Sequence, residues 1–456
     1  MKSVFINMEK STEAEGTGPS RGKSRVKEFY NDSLYRNSIY LIATNLANFG
    51  GGFLFLWIST WIYTEEEVGL AWAVIPLMMY LFVISNLGLP YGLIRLLPQA
   101  GEKGKDMINS CLTLSGLISL VGAILLLGVL ALFFPNHELA FLLANPLYIG
   151  AIILFAVAFT LQFFAIHAFV AERRAGYSLA QAMVLNLLRL SPIAFLGILG
   201  AFGILVSWGI GVIAAATIGL SVFLHRTRMD YIPHPCINTA ILKDMLPYSL
   251  KNWVGEFLWS APNFLLPVLV LSVLGAESNG FFYVGWQAAS VLGMISVAIS
   301  VSLFAEGSHE EWQLGQHVRK SFKLVLLLVL PAAALMFIIG DKILLLFGPQ
   351  YSENSIGILR VMIIAIVPAS INLIYLGVKR VEMNMTSVWM VTAFIAISTF
   401  VLSYFLVNEM NIVGVGIAFA ASQGAAAIFT MASLIGTMRS SNVAEYTGVY
   451  SYEVVE

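Results

Sequence analysis

Arg189 stands inside an otherwise apolar run, Asn186-Leu187-Leu188-Arg189-Leu190-Ser191-Pro192. An arginine near the middle of a membrane-length stretch costs at least about 2.5 to 3.5 kcal/mol to insert and has little room to snorkel, so it should face a wet or anionic cavity. Its planar fork suits a phosphate or pyrophosphate group. The competing reading is structural: a buried pair, or a hydrogen bond to a carbonyl freed near Pro192. Arg95 is a second candidate anion contact, although snorkelling at a helix end accounts for it equally well. Glu256 is an intramembrane carboxylate of the kind that binds a proton or sodium ion; pairing with nearby Lys251 explains it without function. Asn252, Glu256, Trp259 and Asn263 follow the i, i+4, i+7, i+11 spacing of one helical face, and Asn37, Thr44 and Asn48 repeat such a stripe. Amides flanked by aromatic rings suit sugar hydroxyls, and they also serve as interhelical glue in lipid.

The elements that must position these groups are membrane spans. Hydrophobic residues make up 58% of the chain and charged residues 11%, with a mean hydropathy of +0.83, far from the roughly 25% charged of a soluble domain. About twelve stretches reach the ~20 apolar residues that cross a bilayer: 36–63, 68–95, 107–134, 146–171, 177–202, 204–225, 249–274, 280–304, 322–347, 355–378, 386–407 and 412–438. The runs are continuously apolar rather than alternating, which predicts helices, not a barrel. Of the 25 Lys and Arg residues, all but Arg189, Lys342 and Arg360 gather at alternate boundaries between spans. That asymmetry predicts both termini on the cytoplasmic side of a cell membrane. For Arg360, pairing with Asp341 or Glu353 is the plainer expectation.

A weak collinear self-match divides the chain. Asn37 and Asn48 fall on Asn252 and Asn263, Gly69 on Gly280, Ser110 on Ser321, Gly150 on Gly357, Arg173 on Arg380, and Val206, Gly209 and Ile210 on Val413, Gly416 and Ile417. Equivalents six spans apart run in the same direction, a parallel repeat about an axis along the membrane normal. The expectation is an all-α polytopic membrane protein of about twelve transmembrane helices in two six-helix lobes. Its parts are a mostly disordered cytoplasmic tail (1–35), lobes at 36–225 and 249–438, a cytoplasmic linker (226–248), and a second cytoplasmic tail (439–456). Residues 1–30 carry no apolar segment with a cleavage site, so no signal peptide is expected.

Several strings resemble the polysaccharide and oligosaccharide flippases of the multidrug, oligosaccharidyl-lipid and polysaccharide exporter superfamily. They are Thr64-Glu65-Glu66-Glu67-Val68-Gly69-Leu70, Leu87-Gly88-Leu89-Pro90 through Leu93-Ile94-Arg95-Leu96-Leu97-Pro98, and Leu346-Phe347-Gly348-Pro349-Gln350-Tyr351. The resemblance spans roughly residues 30–438. It implies movement of a polyprenyl phosphate- or pyrophosphate-linked sugar between leaflets, driven by a proton, sodium or potential gradient, and it gives Arg95 a place in a cationic cavity. A cation-coupled multidrug exporter of the same superfamily would share the fold and make more of Glu256. A glycan polymerase or glycosyltransferase would need a sizeable polar loop with clustered carboxylates, which the short connections leave no room for. The sequence has no Walker-type loop, and no cofactor, metal or nucleic-acid partner is expected. His309, Glu310, Glu311 and His317 read as a solvated cytoplasmic segment, His167 as an interfacial or packed residue, and Cys111 and Cys236 as too far apart for a disulfide or a metal knuckle.

Overall fold

The protein is described here by a computed structural model covering residues 33–134, 136–228, 231–309 and 311–447. Residues 1–32 and 448–456, most of the two expected tails, lie outside the described residues, as do the side chains of residues 309–311. The described chain forms helices joined by short connections: α1 Ser33–Ile62, α2 Glu65–Ser85, α3 Leu89–Leu96, α4 Gly104–Phe133, α5 Pro146–Ala171, α6 Ala175–Leu190, α7 Ala201–Thr227, α8 Thr239–Leu274, α9 Ala276–His309, α10 Leu314–Leu345, α11 Pro349–Val381 and α12 Met385–Thr447. Among the described residues, ten helical stretches are long and apolar enough to cross a bilayer. The 63-residue α12 covers two expected spans, because Asn411 (φ 52°, ψ −143°) breaks the helix between them. The remaining expected span is α6, 16 residues long.

Local chemistry sets the boundaries. Thr64 and Glu67 form a reciprocal capping box at the start of α2, whose first turn carries three glutamates against the positive helix end. Asn145 caps α5 ahead of Pro146. The expected span 68–95 ends early, at Ser85, where the Asn86 side chain accepts the Gly88 N–H at 2.6 Å and Leu87 and Gly88 turn left-handed. The short α3 then restarts at Leu89-Pro90. The expected span 177–202 stops at Leu190, since Pro192 has no N–H to continue it. Arg189 therefore lies in the last turn of α6 rather than at a mid-helix position.

Helices before and after residues 226–248 pack mainly among themselves: α1 on α6, α6 on α7, and α5 on α4 and α7; then α11 on α9, α10 and α12, and α8 on α12. The halves meet chiefly through α2, which packs along both α8 and α9. Their relation is two-fold. Gly69 and Gly280 face each other: a Cβ on Gly69 would fall 1.7 Å from the Ala276 carbonyl oxygen, and one on Gly280 would fall 2.6 Å from that of Glu65. Such reciprocal contacts are what an isologous interface makes. Inside the halves, Ser85 and Thr160 hydroxyls lie 3.5 Å apart and Ser296 and Ser370 hydroxyls 2.7 Å apart in matching places.

The later sequence register needs correction. Arg173 (φ 55°) shares its left-handed turn with Met383 (φ 54°), not with Arg380. Gly200 (φ 58°, ψ −143°) matches Asn411, and Gly203 and Gly414 are each pressed on a leucine carbonyl, of Leu196 and Leu406, at 2.2 Å for a Cβ. The pairs Val206–Val413, Gly209–Gly416 and Ile210–Ile417 are thus one helical turn out of step. A slip of one turn keeps the same helix face, so identity matching does not detect it.

Candidate functional site

At the end away from the basic boundaries, the two halves are sealed. The indole N–H groups of Trp57 and Trp61 both donate to the Leu346 carbonyl, at 2.7 and 2.8 Å. Phe53 packs edge-on to Phe347, the buried Asn279 amide donates to the Gly69 carbonyl at 2.7 Å, and Trp72 stacks on Tyr283 at 4.7 Å. Toward the basic end, α1 keeps α6 as its main partner, and Ile42 and Leu46 are each 61% exposed. Contact there passes through α2 and α3 instead: the Trp253 indole donates to the Val83 carbonyl, the Tyr80 hydroxyl to that of Phe257, and a Cβ on Gly88 would lie 2.1 Å from the Ser249 carbonyl.

Arg189 sits behind the seal. Its guanidinium donates to the Asn186 side chain and, at 3.4 Å, to the Asn48 carbonyl; it lies 5.6 Å over the Phe55 ring and 3.6 Å from the position a Cβ would take on Gly52. Tyr283 of the other half lies near it. The residue is buried, and its Nε, like the Asn48 Oδ1, has no hydrogen-bond partner. Among the described residues it forms no ion pair. The carbonyl reading survives, through Asn48 rather than a residue near Pro192.

A second group gathers at the basic end, where α3 crosses α8. Glu256 lies beside Asn86 and Tyr91, both from the other half. The Asn86 oxygen accepts the Gly88 N–H, and its buried amide NH₂ has no hydrogen-bond partner. The expected pairing of Glu256 with Lys251 does not occur: five residues apart on a helix, the two side chains point to different faces, and Lys251 is exposed. Arg95 stacks 4.5 Å over the Tyr248 ring. Arg380, at the end of α11, lies near Tyr91, whereas its neighbour Lys379 is bound to Glu382 at 2.6 Å. Asn86, Tyr91, Tyr248 and Arg380 escaped the sequence reading. A basic residue at a span end looks like topology signal, and only the αL break at Asn86-Leu87-Gly88, visible as Asn before Leu-Gly, hinted at a special turn.

The asparagine stripes divide. Asn37 accepts the Ala175 N–H at 2.9 Å, supplying from α1 a cap that Arg174 does not give to α6. Asn252 donates to its own Tyr248 carbonyl, Trp259 is half-buried, and Asn263 is exposed. Arg360 stacks over Phe337 at 5.5 Å instead of pairing with Asp341 or Glu353. His167 packs against Phe163 and its carbonyl. His317 is buried, contrary to a solvated segment, because the amphipathic helix Leu314–Leu324 turns that face inward.

The whole arrangement is similar to solved transporters. The lipid II flippase MurJ in an inward closed conformation matches with a TM-score of 0.65 at 14% identity, covering 92% of this chain and 93% of that one. An inward-facing multidrug resistance MATE family transporter of the MOP superfamily matches at 0.64, 16% identity, 90% and 99% coverage. A MOP superfamily transporter from Pyrococcus furiosus matches at 0.61, 16% identity, 94% and 100% coverage. The fold is thus the two-lobed, all-helical transporter fold of that superfamily. A model of the family described as polysaccharide biosynthesis protein matches residues 34–305. The chain belongs to this family. Among curated proteins none matches its sequence.

Proposed function

We propose that the protein moves a polyprenyl phosphate- or pyrophosphate-linked oligosaccharide or polysaccharide precursor from the cytoplasmic to the outer leaflet by alternating access. In this reading the basic end is cytoplasmic, 36–225 and 249–438 rock about the seal, and 226–248 joins them. The supporting observation is that Arg95, Arg189 and Arg380 border the interface between the halves with no carboxylate ion pair among the described residues. Arg189, buried without a counter-charge, carries an insertion cost that an anionic ligand offsets, and Arg95 and Arg380 stand exposed at helix ends nearer the basic side. Asn48, Asn252, Trp259 and the rings of Tyr91 and Tyr248 would meet sugar and carrier. Glu256 is the candidate proton or sodium site, its release tied to separation from Asn86 and Tyr91.

The test is reconstitution. Proteoliposomes holding a fluorescent lipid-linked oligosaccharide are expected to show protein-dependent flipping, measured by lectin accessibility and lost in Arg189→Ala. Efflux of cationic dyes without glycolipid movement would replace this reading with the multidrug one.

A further inference from the structure

The stretch joining the two halves carries a chemistry that the transport reading does not use. Residues 231–238 carry no regular secondary structure and run along α4. Ile232 and His234 each precede a proline, which holds them in extended backbone. Alternate N–H groups are tied to one stripe of that helix: His234 to the Asn109 side chain at 3.4 Å, Cys236 to the Thr113 hydroxyl at 3.0 Å and Asn238 to the Ser110 hydroxyl at 2.9 Å. Asp106, Asn109, Ser110 and Thr113 follow helical spacing, so Asp106 comes next on that stripe. In an extended chain, residues two apart share a face. His234 and Cys236 accordingly both reach toward Asp106, and ligand atoms of the three lie within 4.8 Å of one another.

We propose that Asp106, His234 and Cys236 form a site for a divalent transition metal of the zinc class. Thiolate, imidazole and carboxylate together select such an ion over magnesium or calcium. A tetrahedral site places its donor atoms about 3.3 to 3.8 Å apart, within reach by side-chain rotation from the present separation. Three protein ligands leave a fourth position open. The imidazole is already oriented: its Nδ1 edge lies 3.1 Å from the Ile232 carbonyl and 3.0 Å from the Asn109 amide. Presenting the Nε2 lone pair to the ion takes the tautomer whose Nδ1–H donates to the Ile232 carbonyl, and the Asn109 NH₂, a competing donor at Nδ1, then gives up its contact. The Asn109 oxygen accepts from the buried Tyr231 hydroxyl at 2.6 Å. Metal uptake releases the Cys236 thiol proton, and Asp106 with the thiolate balances the ion's charge in a neighbourhood that also holds Lys105. Such an ion would clamp the connecting stretch onto α4, a restraint independent of what the cleft carries.

The probe is Co²⁺ added to the purified, tag-free full-length protein. One equivalent is expected to give tetrahedral d–d bands and a thiolate-to-cobalt charge-transfer band, displaced by Zn²⁺. Cys236→Ser should lose the charge-transfer band, and Asp106→Asn and His234→Ala should weaken Co²⁺ binding by at least about tenfold, by analogy with the 10–100-fold cost of losing even supporting groups at metal sites. Cys111→Ser should change nothing, because that thiol is buried in α4. A Zn²⁺-dependent rise in melting temperature, present in the native protein and absent in His234→Ala, supplies a second readout on folded material. An unchanged charge-transfer band in Cys236→Ser, or Co²⁺ binding no tighter in the native protein than in the three variants, overturns the site. Failure of the glycolipid assay leaves it standing.

Discussion

Replacing Gly69 by alanine should open the seal. The new methyl would stand 1.7 Å from the Ala276 carbonyl oxygen and 2.8 Å from the Gly280 nitrogen. A carbon and a carbonyl oxygen rest at about 3.3 to 3.6 Å, so α2 and α9 must part by well over an ångström. Overpacking of this kind costs about 1 to 3 kcal/mol. Alanine's better helix propensity does not offset it, because α2 is helical in the sealed and the unsealed molecule alike. Parting also breaks the bond from Asn279 to the Gly69 carbonyl. A bias of 1 to 3 kcal/mol moves a two-state ratio by about 5 to 150-fold. Spin labels at the exposed Glu66 and Glu353, read by double electron–electron resonance, should show the short-distance population falling by such a factor, with glycolipid transport falling alongside. Gly280→Ala, at 2.6 Å from the Glu65 carbonyl, should act in the same direction, and Gly128→Ala, with nothing within 4 Å, should have no effect. An unchanged distance distribution in Gly69→Ala would refute the on-axis seal.

Arg189→Ala is expected to abolish export at normal membrane abundance, with Arg189→Lys restoring only part, since a point charge loses the bidentate fork; full export by the alanine variant would leave Arg189 a structural role. Glu256→Gln should flatten the dependence of glycolipid movement on an imposed proton or sodium gradient while substrate binding persists, and equal gradient dependence would exclude it as the coupling group. Cysteines at Glu66, Asn136 and Glu277 should label from outside intact cells and those at Lys103 and Arg174 should not; the opposite pattern would invert the orientation. Burial and the neighbouring Glu66 raise the carboxyl of Glu138 above its ordinary value, so its ionisation opposes folding as pH climbs through and beyond the ordinary carboxylate range. Glu138→Gln should therefore raise the melting temperature near pH 7, with the gain closing below about pH 4.

Much of the fold was legible because lipid imposes one rule on every span. The stretch 146–171 coincides with α5, whose start is written as Asn145 before Pro146. Hydropathy fails where polar residues continue a helix out of the bilayer: α8 begins at Thr239, ten residues before the apolar run, under an Asn238 cap. It fails again at Ser191-Pro192, where apolar residues run on to Phe202 although the helix stops. Of the site, Arg189 and Glu256 stood out because a lone charge in an apolar run is expensive. The neighbours of Glu256 did not, since Asn86, Tyr91 and Arg380 approach from distant spans. Asp106 and Cys236 meet across more than a hundred residues, and the sequence view set Cys236 only against Cys111.

The reciprocal contact of Gly69 with Gly280 is the one that two copies of a single six-helix chain would make across a dimer axis. Two identical copies must place the same residue on both walls of the space between them, so an arginine on one wall always confronts its twin. A chain that carries both halves is free of that obligation. By the register that pairs Arg173 with Met383, the counterpart of Arg189 is Thr399, buried and neutral. At the depth of Arg189, positive charge on one wall alone gives the chamber a handed polarity. An elongated ligand with a single anionic end then has one favourable way round in which to lie, and its orientation is decided before either half moves.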